Sequence, residues 1–152
     1  MADWPEAVER VASFLRAAAA EARLEELPDG TPTAAAAARA IGCPTAQIVK
    51  SVVLVADTGA FVVALVPGDR RADTAKVARA ASARSARVAR PDEVAAATGF
   101  APGAVAPFPL PRVAAVLADR SLLAQPVVWV GAGSTSHMAR LAPLELLRLA
   151  RA

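Results

Sequence analysis

The sequence predicts an α+β domain, and three observations carry the prediction. Apolar residues recur at helical spacing near both ends, at Val8, Val11 and Leu15 and again at Leu144 and Leu147. A β-branched run from Ile48 to Ala56 is followed, across Asp57-Thr58-Gly59, by a second from Phe61 to Val66, the pattern of a hairpin. Two more short apolar runs, Val113 to Leu117 and Val127 to Val130, read as buried strands. The 152 residues fit one domain, 1–152, with no internal repeat or linker, and folding a chain of this size buries roughly 68–70% of the surface of the unfolded chain.

Taken in order, Asp3 and Glu6 have capping-box spacing, Pro5 suits a first turn, and an amphipathic helix is expected to about Arg23. Alanine is apolar but indifferent to face, so it blurs the periodicity here and elsewhere. Leu24 to Leu27 is a candidate strand closed by Pro28-Asp29-Gly30. Thr33 caps an alanine-rich helix that Gly42 ends, and a surface turn follows at Pro44. After the hairpin, Pro67-Gly68-Asp69 breaks the strand and Asp73 caps a helix through Ala81, with Val77 its main bulky apolar residue. A short strand is expected near Ala86 to Ala89, then a helix opened by Pro91 with Asp92 and Glu93 in its first turn and closed by Gly99.

The segment from Phe100 to Pro111 has prolines at 102, 107, 109 and 111, which excludes helix and central strand. Phe100, Val105, Phe108 and Leu110 are anchors that a flexible linker lacks, so it reads as a shaped loop packed on the body. A turn is expected over Asp119 to Gln125, a glycine turn over Gly131 to Ser134, and a last helix from Pro143 to Ala150, with Leu144, Leu147 and Leu146 on its apolar side.

Composition excludes several classes of function. One cysteine, Cys43, and one histidine, His137, allow neither an internal disulfide nor an ordinary zinc set, so no metal and no cofactor are expected. No apolar run approaches the ~18 residues of a membrane span, and the first residues lack the order of a signal peptide. A cytoplasmic location, with neither membrane nor DNA as partner, is the expectation. A pI near 10 and seven basic residues between Arg70 and Arg90, against Asp73 alone, suit a phosphate backbone. Arg70, Arg71 and Arg79 are the candidates for that contact, although a solvated helix face has the same charge pattern.

Lys50 is one of only two lysines among seventeen basic residues, and it lies inside an apolar strand. An unpaired ammonium taken out of water costs several kcal/mol. Lys50 is therefore either functional or a strand-end residue with its head in water. Gly131-Ala132-Gly133 lacks the third glycine of a dinucleotide fingerprint, but it offers backbone N–H groups beside Ser134, Ser136 and His137. One histidine supports no Ser-His-Asp set without geometry.

Gln47 to Val53, then Val66 to Arg71, then Thr98-Gly99-Phe100 with Pro102 to Phe108, and Gly131 to Ser134 together resemble the YbaK/prolyl-tRNA synthetase editing-domain family, in order from about Thr33 to Leu149. The resemblance implies a mixed, largely antiparallel sheet wrapped by helices. It also implies hydrolysis, without cofactor, of the ester joining a wrong amino acid such as alanine or cysteine to the 3′ end of a tRNA, usually tRNA for proline. Prolyl-tRNA synthetase is then a candidate partner. By position, Lys50 matches the family's functional lysine, Gly103 and Pro107 its Gly-x-x-x-Pro loop, and Gly131, Gly133 and Ser134 its glycine turn. Ser51 stands beside the lysine where other branches have Thr or Asn, and His137 lies where some members carry a histidine. A tRNA-binding module without turnover is the alternative of a different class.

Overall fold

The computed structural model describes residues 4–27 and 30–152. The expected capping box at Asp3 and the turn at Pro28-Asp29 lie outside these residues. Helices α1 (Glu6–Ala17), α2 (Ala34–Ile41), α3 (Thr74–Ala80), α4 (Pro91–Thr98) and α5 (Pro143–Ala150) surround strands β1 (Ala22–Glu26), β2 (Ile48–Ala56), β3 (Phe61–Pro67), β4 (Ala86–Val88), β5 (Ala115–Ala118), β6 (Val128–Ser134) and β7 (His137–Leu141). The strands form one sheet in the order β1-β7-β6-β2-β3-β5, and β4 also pairs with β2. The β2–β6 and β3–β5 pairs are parallel and the rest antiparallel, as the mixed α+β expectation requires.

Both faces of the sheet are covered, which explains why its central strands are nearly continuous apolar runs. Val49, Val53, Val128, Val130 and Ala139 pack against α1, α5 and the proline-rich loop. Alternate residues face the other way: Ile48, Trp129 and Met138 pack on α2, and Leu54, Val62 and Val66 on Val77 of α3. The loop behaves as a packed element, with Phe100 and Phe108 each 1% exposed and Phe108 stacked on Phe14 at 5.2 Å.

Local chemistry accounts for the boundaries that punctuation residues mark. Thr33 accepts the Ala36 N–H at 3.1 Å, Asp73 accepts those of Ala75 and Lys76, and Gly42 and Gly99 close α2 and α4 in the left-handed region. Four expectations need correction. Helix α1 ends at Ala17, not Arg23, and β1 begins at Ala22, because Ala19 at φ 49 turns the chain. Gly131 to Ser134 is the bulged end of β6 rather than a turn, and β7 follows it directly after Thr135 and Ser136. The turn expected over Asp119 to Gln125 is present as a 3-10 turn, Arg120–Ala124, capped by Asp119, but β5 starts two residues later than expected. In α5 the buried positions are Leu146, Leu149 and Ala150, while Leu144 is 71% exposed, so the apolar stripe is rotated from the expected one.

Candidate active site

The cavity at the centre of the molecule is opened by the sheet itself. Strands β2 and β6 pair over only Ile48↔Trp129 and Val49↔Val130. β6 then shifts register along β7 between Gly131 and Ser134, and the edge of β2 is taken up again at Val53, whose carbonyl accepts the Ala89 N–H at 2.9 Å, and from Leu54 by β4. On the other edge, the Ile48 carbonyl accepts the Gly68 N–H at 2.7 Å, which fixes the alternation of the antiparallel ladder. By that alternation the N–H and C=O of Ser51 point away from β3, into the gap between β2 and β6. The Ser51 hydroxyl oxygen is also buried and has no hydrogen-bond partner among the described residues. Three polar groups of one residue are thereby left for a ligand to satisfy.

A cavity of about 510 Å³ occupies this gap, within the range of small-molecule sites. It brings together Lys50, Ser51, Gly103, Gly131, Ser134 and His137. Lys50 extends from near the start of β2 and donates from Nζ to the Arg70 carbonyl, so its head is neither unpaired nor simply in water. Gly131 is needed for closeness: a Cβ there would lie 2.7 Å from the Val105 carbonyl oxygen, in the wall formed by the loop. Gly103, at φ 82, has nothing within 4 Å of where its Cβ would be, so its role is to turn the loop at the cavity rim.

His137 is 5% exposed, and its Nδ1 lies 2.6 Å from Ser134 Oγ. Its Nε2 is 3.8 Å from a Glu26 carboxylate oxygen, and Trp4 packs edge-on against the ring at 5.3 Å. The carboxylate favours the proton on Nε2, which leaves Nδ1 to accept from the Ser134 hydroxyl. Ser134 Oγ also accepts the Ser136 N–H at 3.1 Å, which locks its rotamer.

Two expected site residues lie elsewhere. Pro107 is a fully buried residue of the loop, turned into the core. Gly133, at φ 102, faces α1, where a Cβ would fall 2.8 Å from the Ala7 carbonyl. Both shape the site from behind and do not line it. Arg70 and Arg71 line a neighbouring cavity, and Arg79 is exposed on α3 and lines neither. Arg87 and Arg90 leave the expected basic cluster, because Glu93 binds Arg87 at 2.7 and 2.9 Å and Arg90 pairs with Asp92. Sequence reasoning missed the wall formed by residues 31–37, together with Glu26 and Trp4. Only the Thr33 cap marked that region in the sequence.

A split sheet with an anchored ammonium, unpaired backbone groups and a Ser-His pair defines a binding site for a small polar or anionic group. Residues 28–149 match the family described as aminoacyl-tRNA editing domain, and the chain belongs to that family, whose reaction class is hydrolysis of the aminoacyl-tRNA ester. It is 36% identical to a crystal structure described as that of a proposed trans-editing enzyme for prolyl tRNA synthetase, with a TM-score of 0.89 over 99% of this chain and 95% of that one. A second structure, of the protein APE2540, superposes with a TM-score of 0.88 at 29% identity, covering 94% of this chain and 95% of that one. The proline–tRNA ligase of Xanthomonas oryzae is 34% identical over 81% of this chain, and that of Acidithiobacillus ferrooxidans 38% identical over 62%. The chain spans 22% and 16% of the length of those two ligases. Among the described residues, no helix is long and apolar enough to cross a membrane.

Proposed function

We propose that this chain, folding as one domain over 1–152, acts in trans on tRNA for proline and removes a small wrong amino acid such as alanine or cysteine. The observation that carries the reading is the convergence of Lys50, Ser51, Gly103, Gly131, Ser134 and His137 on one cavity at the split in the sheet. The terminal ribose and aminoacyl group enter the gap. Lys50, held by the Arg70 carbonyl, holds the ribose or terminal phosphate as a point charge. The free Ser51 N–H faces the ester carbonyl and stabilises the oxyanion that forms there. A water oriented by Ser134 and His137 attacks the carbonyl carbon. The bond from that carbon to the ribose oxygen breaks, one proton of the water passes to the leaving ribose hydroxyl, and the free amino acid and uncharged tRNA are released.

An aminoacyl ester is already activated, so orientation and polarisation supply most of what the reaction needs. Val105 and Gly103 wall the end of the cavity where the side chain of the amino acid fits. Such a wall separates residues differing by one methylene by only ~1–3 kcal/mol, so rejection of correct prolyl-tRNA is steric and incomplete. The partners this reading requires are the aminoacylated tRNA end and prolyl-tRNA synthetase as the source of the error, in the cytoplasm. Incubation with alanyl-, cysteinyl- and seryl-tRNA for proline tests it, with release of at least one amino acid expected above the uncatalysed rate. Tight tRNA binding with no release from any of the three would establish a binding module instead.

A further inference from the structure

Beside the site lies a second cavity, of about 430 Å³, which the reaction above does not use. Its floor is apolar, from Leu65, Val77 and Leu117, and its rim carries Arg70, Arg71, Lys76 and Arg120. The cavity also holds Asp73 and Asp119, but both carboxylates are engaged locally. Asp73 caps α3 through the N–H groups of Ala75 and Lys76, each at 3.1 Å, and Asp119 accepts from the Ser121 N–H at 2.8 Å and hydroxyl at 2.7 Å. Asp119 is held below the usual carboxylate range chiefly by Ser121, with Arg70 and Lys76, which line the same cavity, adding to it.

Some arginines elsewhere are paired, Arg16 with Glu9, Arg87 and Arg90 with the acids of α4, and Arg148 with Glu145, while others, such as Arg79 and Arg84, have no ion pair among the described residues. None of the four cations at this cavity is in an ion pair among the described residues. The wall between the two cavities is the segment after β3. Gly68 lines the first, Arg70 and Arg71 line the second, and the Arg70 carbonyl receives the ammonium of Lys50.

We propose that this second cavity binds the single-stranded nucleotides that precede the terminal adenosine of the tRNA, their phosphates on Arg70, Arg71, Lys76 and Arg120 and their riboses and bases over the apolar floor. The inference rests on the deacylase reading for the identity of the ligand. It adds Arg120, which lies outside the basic run of the sequence, and places Lys76 of that run at the cavity. Because Arg70 contributes its side chain to one cavity and its carbonyl to the other, a strand seated here sets the position of Lys50 as well.

The test compares two 5′-labelled RNA hairpins with the same acceptor stem, one ending in single-stranded CCA and one blunt. Lys76→Ala/Arg120→Ala should weaken binding of the CCA hairpin about tenfold and lower its salt slope by about 1.4, from two single-strand phosphate contacts at about 0.7 each, while binding of the blunt hairpin stays within twofold. Equal weakening on both hairpins, or none on either, overturns the proposal. Both side chains are exposed, so a melting curve matching that of the unaltered protein is expected and shows that the fold is retained. Hydrolysis of alanyl-adenosine, an ester without phosphates, tests the deacylase reading separately. Its failure would leave the hairpin comparison to decide the cavity alone.

Discussion

Lys50 is the residue at which burial, charge and position meet, and its environment makes a sharp prediction. The Arg70 carbonyl satisfies one of the three ammonium donors and aims the rest at the cavity. Lys50→Ala should therefore lower deacylation roughly 100-fold, the order found when a positioned electrostatic group is lost, with little change in melting temperature. Lys50→Arg should recover little, since a planar fork does not fit where a compact ammonium is held. Single-turnover rates and thermal melts on both variants check this, and a stable, fully active Lys50→Ala protein would remove Lys50 from the site. Ser51 makes the opposite kind of case. Its buried hydroxyl has no partner among the described residues, and such a group costs about 1–3 kcal/mol. Ser51→Ala should leave stability unchanged or raised while altering relative rates on alanyl- and seryl-tRNA. A fall in melting temperature with unchanged selectivity would make Ser51 a structural residue only.

At the scale of elements, the glycines of the site separate into two roles that substitution distinguishes. Gly103→Ala meets no atom and costs only the strain of a positive φ, so it should shift the ratio of rates on two mischarged substrates with a small loss of stability. Gly133→Ala drives a methyl group into the Ala7 carbonyl and pushes α1 off β6, so it should lower the melting temperature and reduce every substrate's rate together. Pro107→Ala belongs with the second group because Pro107 is buried in the core. Comparing both ratios and melts across the three variants checks the division. The same contrast explains what the sequence made legible. β2, β3, α2 and α4 were readable because a proline, a glycine or a capping side chain marks each end. β7 was not, because His137-Met138-Ala139-Arg140-Leu141 is buried on both faces except at Arg140 and so shows no clean alternation, and the two-residue turn before it contains no glycine. Lys50, Ser51, Gly103, Gly131, Ser134 and His137 could be placed together through family resemblance. Glu26 and Trp4 reach His137 only through the β1–β7 register and the start of α1, contacts that no local pattern in the chain encodes.

At the scale of the whole molecule, two carboxylates join separate elements of the fold, and their titration contributes to its stability in acid. Glu145 on α5 binds Arg148 and accepts the Glu21 N–H at 2.8 Å, just before β1, so it fastens the last helix to the first strand. Glu93 binds Arg87 and the Arg90 N–H, and so fastens α4 to β4. Each is lowered from 4.5 to about 2, Glu145 chiefly by the Arg148 guanidinium and Glu93 chiefly by that of Arg87. A carboxylate whose folded value is depressed binds its proton first in the unfolded chain, so the unfolded state holds more protons between these two values. The stability it contributes is fully present above pH 4.5 and is lost as pH falls through about 2. Both pairs are near the surface, and added salt weakens them. Glu93→Gln and Glu145→Gln should each melt below the unaltered protein at pH 6. That difference should shrink steadily below pH 4.5 and nearly vanish by about pH 2, and the double variant should show the shallowest acid dependence of the four proteins. Thermal melts at pH 6, 4, 3 and 2 in low salt check this. A difference that stays constant across that range would show that the two carboxylates stabilise the fold through packing and not through charge.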